Sequence, residues 1–151
     1  MIHTRILMVC LGNICRSPLA EGILKSMVNP DFIYIDSAGT SAFHKGELPD
    51  PRSIKVAQKN GIDITDQRSR QFIATDFDVF DTIYVMDLSN QTNVLALAKN
   101  QEDRNKVKLI LNERKPALNE NVPDPYHDTD NGFDAVYSML NDACKQIADK
   151  L

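Results

Sequence analysis

At 151 residues the chain has the length of one domain and can bury a core without staples. Its 42% hydrophobic and 25% charged content excludes wholesale disorder, and a formal charge of −4 excludes a protein that works by general attraction to nucleic acid or an anionic membrane. No apolar run approaches the roughly 20 residues of a membrane span. An anionic substrate would have to be met by a local positive site. No small-residue cleavage site follows Met1-Ile2-His3-Thr4-Arg5, and three cysteines are too few and too odd for a disulfide framework. A cytoplasmic protein with reduced thiols is therefore expected. No linker, repeat or low-complexity tract divides the chain, so residues 1–151 are expected to form a single domain.

Four short apolar runs read as buried strands: Ile6-Leu7-Met8-Val9, Phe32-Ile33-Tyr34-Ile35, Ile83-Tyr84-Val85-Met86 and Val107-Lys108-Leu109-Ile110. Helical patterns lie between them. Ser17 before Pro18 predicts an N-cap and a first-turn proline, with Leu19, Ile23 and Met27 on one face. Asp50-Pro51 predicts a second start, with Ile54 and Ala57 inside and Asn60-Gly61 as a left-handed stop. Val94, Leu95 and Leu97 mark a helix after Asp87. Phe133, Val136, Tyr137, Leu140, Cys144, Ile147 and Leu151 form the apolar stripe of a last one, with Asp128 to Gly132 as the turn before it. Strands alternating with helices imply parallel βαβ units, hence an α/β, three-layer doubly wound fold with a four-stranded parallel sheet flanked by helices. Such folds bind ligands beyond the carboxyl ends of the strands.

The end of the first strand holds Cys10-Leu11-Gly12-Asn13-Ile14-Cys15-Arg16-Ser17. Successive backbone N–H groups in a tight loop at a helix N-terminus form a nest for an anion, so residues Leu11 to Ser17 are candidate phosphate binders. Gly12 and Asn13 are the residue types that most readily take the left-handed backbone such a loop needs. Arg16 offers a planar fork for two phosphate oxygens, and the same positive field favours a thiolate at Cys10. Ser17 is expected to cap the helix while donating its proton to the sulfur.

This segment, together with Asp36-Ser37-Ala38-Gly39-Thr40, Pro49-Asp50-Pro51-Arg52, Phe80-Asp81-Thr82-Ile83 leading to Met86-Asp87, and Asp124-Pro125-Tyr126, closely resembles the low-molecular-weight protein tyrosine phosphatases of the bacterial type. The resemblance covers nearly the whole chain. It implies hydrolysis of phosphotyrosine in proteins or peptides through a cysteinyl phosphate, with no metal or other cofactor, by a monomer or weak homodimer. By residue type alone Asp124, set between Pro123 and Pro125, reads as a turn residue; the resemblance makes it the general acid, then base, beside Cys10 and Arg16. It also implies an aryl slot walled by Phe43 and Tyr126, with Ile14 as the inner contact. Phe43 stands where bacterial relatives often have tryptophan, and His127 where some have a second tyrosine.

A histidine common in relatives three residues before the Arg-Gln pair is replaced here by Gln67, ahead of Arg70-Gln71. Gln67 is expected to support the loop together with Asn13, Ser17 and Ser37. The resemblance further implies that Cys15 forms a reversible disulfide with Cys10 on oxidation, while Cys144 is a buried structural thiol. Three alternatives remain beside this reading. An arsenate reductase needs two further resolving cysteines, of which only Cys144 is left. A protein-arginine phosphatase on the same scaffold has threonine where this chain has Ile14. A phosphotyrosine-binding module would be expected to lack Cys10, Arg16 or Asp124. His3, His44 and His127 have no metal-ligand spacing with the cysteines, and Asp128 to Gly132 lacks the register of a calcium loop.

Overall fold

Thr4–Cys10 forms the first strand (β1), and the computed structural model, which describes residues 1–151, explains its apolar sequence by its position. The strand lies inside a parallel sheet, between β2 (Ile33–Gly39) and β3 (Thr82–Val85), with β4 (Val107–Leu109) beyond β3. Both faces are covered, so Ile6, Leu7, Met8 and Val9 are all buried. Successive side chains point to opposite faces. Ile6, Met8 and Cys10 enter the larger core, with Leu19, Ile23, Leu140 and Ile147. Leu7 and Val9 enter the smaller one, with Phe72, Phe77, Phe80 and Val94. The α/β class with a four-stranded parallel sheet is as the sequence predicts.

Six α-helices complete the layers: α1 (Arg16–Lys25), α2 (Pro51–Lys59), α3 (Asp76–Val79), α4 (Leu88–Leu95), α5 (Gln101–Lys106) and α6 (Asp130–Asp149). Ile110–Glu113 adds one 3₁₀ turn after β4. The stripe on α6 is buried at Phe133, Val136, Leu140, Cys144 and Ile147, whereas Leu151 lies exposed beyond the helix end. Asp50 caps α2 by accepting from the Arg52 amide, and Gly61 takes φ 79° just past the helix. No helix is long and apolar enough to cross a membrane.

One helix start differs from expectation. Cys15, not Ser17, holds the cap position of α1, and it offers no side-chain cap bond. Ser17 lies inside the first turn because its hydroxyl is engaged elsewhere, as described below. The strand order β2-β1-β3-β4 reverses direction around β1, so a crevice opens beyond the carboxyl ends of β1 and β3. Cys10 closes β1 there, and Asp87 follows β3 two residues after its end.

Candidate active site

The turn from β1 to α1 is held by its carbonyls. Cys10 O accepts from Thr40 N–H at 2.9 Å, Leu11 O from Ser41 N–H at 2.9 Å, and Ile14 O from Asp50 N–H at 2.8 Å. Two hydroxyls do the same work, Ser69 Oγ on Gly12 O at 2.9 Å and Ser53 Oγ on Cys15 O at 3.2 Å. With the carbonyls tied outward, the amides of Leu11, Gly12, Ile14 and Cys15 make no backbone hydrogen bond within the protein. Unpaired amides of this kind at a helix N-terminus suit an anion. Gly39 sits beneath the loop: a Cβ there would lie 2.8 Å from Leu11 O and 3.0 Å from Asn13 N.

Within the loop only Asn13 takes the left-handed conformation, at φ 56°. Its buried amide is fully used. Nδ2 donates to Ser17 Oγ at 2.7 Å and Ser37 Oγ at 2.9 Å, and Oδ1 accepts from Arg70 N–H at 3.1 Å. Gly12 is not in that conformation; its missing side chain matters for space, since a Cβ would stand 3.0 Å from the His44 ring. Ser17 Oγ and Cys10 Sγ are 3.1 Å apart, and the Asn13 backbone N–H donates to the sulfur at 3.3 Å. From Ser37 the chain of bonds runs on to Glu21, whose Oε1 accepts at 2.6 Å and whose Oε2 pairs with Lys25. Burial pushes the Glu21 carboxyl above its ordinary range, against the pull of Lys25 and Ser37. Gln67 stands outside this network. Its Nε2 donates to Pro18 O at 3.1 Å, because its backbone position faces the first turn of α1 and not Asn13.

Arg16 is 2% exposed, and its guanidinium has two fixed partners. Nη1 donates to Asp87 Oδ2 at 2.6 Å and to Val122 O at 2.9 Å. Asp87 uses its other oxygen to cap α4, accepting from Asn90 N–H at 2.8 Å. Val122 is itself tied to the end of β3 through Met86 O. Two residues further on, Asp124 places Oδ2 3.8 Å from Arg16 Nη2, while its Oδ1 accepts from the Tyr126 amide at 3.1 Å. Three chain segments thus meet at one cation.

The cavity between them measures about 380 Å³ and is lined by Cys10, Ile14, Arg16, Asp124 and the aromatic groups of Phe43, His44, Tyr126 and His127. Phe43 stands at the mouth, 83% exposed and edge-on to His44, with ring centres 4.8 Å apart. His44 lies deeper, its Nδ1 3.0 Å from Glu47, and its ring centre is 6.1 Å from that of Tyr126. Cys15 also lines the cavity, and burial pushes its thiol up. Cys144 lies outside the cavity, against Ala20 O on α1, and burial pushes its thiol up to about 12.

Residues 5–151 match the family model described as low molecular weight phosphotyrosine protein phosphatase. The chain belongs to that family. It is 42% identical over 145 residues to the low molecular weight phosphotyrosine protein phosphatase of Schizosaccharomyces pombe, covering 93% of this chain and 92% of that one. Among solved structures it is similar to a protein tyrosine phosphatase from Entamoeba histolytica, with a TM-score of 0.90, 34% identity, and coverage of 97% and 96%. It is similar also to a drosophila arginine phosphatase, with a TM-score of 0.88, 32% identity and 96% of both chains.

Several residues of this phosphatase-family site carry no signal in a single sequence. Asp87, Ser53, Ser69 and Arg70 reach the loop or Arg16 from distant segments, while Glu21 on α1 backs it through Ser37, and each is an ordinary helix-cap, helix or loop residue when read locally. His44 could have been found from its place beside Phe43, in the segment expected to wall the slot.

Proposed function

We propose that this protein is a phosphotyrosine phosphatase that works through a cysteinyl-phosphate intermediate. The observation that carries this reading is the sulfur of Cys10 within a ring of unspent amides, facing Asp124 across an aromatic-walled cavity. Arg16 spends Nη1 on Asp87 and Val122, which leaves its Nε and Nη2 edge for two phosphoryl oxygens.

The Cys10 thiolate attacks phosphorus, forming the S–P bond as the bond to the aryl oxygen breaks. Asp124 Oδ1 is occupied by the Tyr126 amide, so Oδ2 carries the proton that goes to the departing oxygen. The resulting carboxylate then takes a proton from water, whose oxygen attacks phosphorus and releases phosphate and the thiolate. The loop amides and Arg16 stabilise the phosphoryl charge in both steps. Donation from the Asn13 backbone N–H and the Ser17 hydroxyl makes the sulfur a better leaving group in the second.

Ile14 and Tyr126, which line the cavity, suit a flat apolar ring and favour phosphotyrosine over phosphoarginine. Fold alone does not separate the two chemistries. Phosphate release from a phosphotyrosine peptide and a phosphoarginine peptide, side by side in excess chelator, does. Faster release from phosphotyrosine, lost in Cys10→Ser, is the expected result. A preference for phosphoarginine would overturn the aryl reading, and release that survives Cys10→Ser would overturn the thiolate. All three cysteines are free, which supports a reducing, cytoplasmic setting.

A further inference from the structure

The segment carrying Asp124 is fastened at a second place, away from Arg16. Arg52, in the first turn of α2, reaches across with its guanidinium: Nη2 donates to Tyr126 O at 2.8 Å and Nη1 to Asp128 O at 3.0 Å. The same guanidinium is held from behind by Asp50, through Nε at 3.0 Å and Nη2 at 2.9 Å, and lies 4.4 Å from the ring centre of Phe133. Asp50 and Ser53, on either side of it, bind the Ile14 and Cys15 carbonyls of the phosphate loop. Three residues of one short stretch, Asp50, Arg52 and Ser53, therefore hold the loop of the nucleophile by one set of bonds and the segment of the acid by another. The peptide groups of Tyr126 complete the link. Its carbonyl accepts from Arg52, and its amide donates to Asp124 Oδ1.

We infer that Arg52 is a positioning residue that sets the distance between Asp124 and the reacting phosphoryl group. It touches neither substrate nor sulfur and acts through the Tyr126 backbone. An acid must stand within hydrogen-bond reach of the oxygen it protonates, and small displacements are costly. Loss of the clamp therefore lowers kcat/KM, which reports the step that forms the cysteinyl phosphate, only for substrates whose leaving oxygen needs a proton. Lysine cannot replace it, because a single ammonium lacks the planar fork that spans two carbonyls and a carboxylate. The inference rests on Asp124 being the acid, and its test separates the two.

Values of kcat/KM are measured for phenyl phosphate, whose leaving group needs protonation, and for 2,4-dinitrophenyl phosphate, whose leaving group does not. The variants are Arg52→Met, Arg52→Lys, Asp124→Asn and the Arg52→Met/Asp124→Asn pair, with inhibition by inorganic phosphate measured on each. Arg52→Met is expected to lower phenyl phosphate about tenfold relative to the dinitrophenyl ester, with inhibition by phosphate little changed. Arg52→Lys falls between, and it carries the test should Arg52→Met not fold. The pair shows no greater discrimination between the esters than Asp124→Asn alone. If Asp124→Asn does not discriminate, the acid assignment falls and the clamp with it. If Asp124→Asn discriminates while both Arg52 variants slow the two esters equally or not at all, the clamp alone is overturned.

Discussion

Arg16 illustrates how one cation is prepared before any substrate arrives. A guanidinium 2% exposed would be strongly disfavoured without partners, and Asp87 and the Val122 carbonyl supply them on one edge only. The opposite edge is left toward the cavity, with Nη2 3.8 Å from Asp124 Oδ2. Asp87→Asn isolates the charge, since an asparagine oxygen still caps α4 at Asn90. The variant is expected to lose about 1–3 kcal/mol in urea denaturation and about tenfold or more in kcat/KM. A loss of stability with kcat/KM unchanged would show that the orientation of Arg16 does not depend on Asp87. Asp87 was not evident as a site residue because nothing local distinguishes it from any aspartate that starts a helix. Cys10, Arg16 and Ser17 could be read as a group because chemistry and backbone geometry lie in the same eight residues. Asp124 needed the family resemblance, as an aspartate between prolines says only that the chain turns.

Strands and long helices were legible for a similar reason. Burial on both faces makes β1 continuously apolar, and a single buried face gives α6 its stripe. Helix α5 was missed because its six residues, Gln101–Lys106, are all polar and hold together by their ends. Asn100 accepts from Asp103 N–H, and Asp103 accepts from Lys99 N–H, a pair of end bonds that Asn-x-x-Asp could have revealed. The end of β2 carries a different constraint, because Gly39 pairs with Cys10 and the phosphate loop folds over it. A methyl group there meets backbone atoms of Leu11 and Asn13 that cannot turn aside. Gly39→Ala is expected to cost about 1–3 kcal/mol and to weaken inhibition by inorganic phosphate, as the loop is forced open. Calorimetry and a phosphate titration check both parts. Intact phosphate affinity in the alanine variant would mean that the loop's shape is set without β2.

Parallel topology follows from alternating strands and helices, whereas the order β2-β1-β3-β4 does not, because either neighbour of β1 satisfies the same pattern. That order is what joins distant groups into one hydrogen-bonded series. Cys10, Ser17, Asn13, Ser37, Glu21 and Lys25 form a continuous series from β1 through α1 and β2. Burial raises the Glu21 carboxyl above its ordinary value of 4.5, with Asp36 adding to the rise and Lys25 and Ser37 opposing it. The native protein then binds a proton at a pH where the unfolded chain does not, so stability increases as pH falls toward 4.5. Asp50 has the opposite sign. Burial would raise it, but the Arg52 fork and amide hold it below its ordinary 3.8, so its contribution is full above that value and is lost as pH falls below it. Together they predict a stability maximum on the mildly acidic side. In urea midpoints measured from neutral pH down to about pH 3, Glu21→Gln is expected to lose the rise between neutral pH and about 4.5 while keeping the fall below it. An unchanged rise in Glu21→Gln would show that the proton is taken up elsewhere, and that the series behind Cys10 ends at a carboxylate ionised throughout.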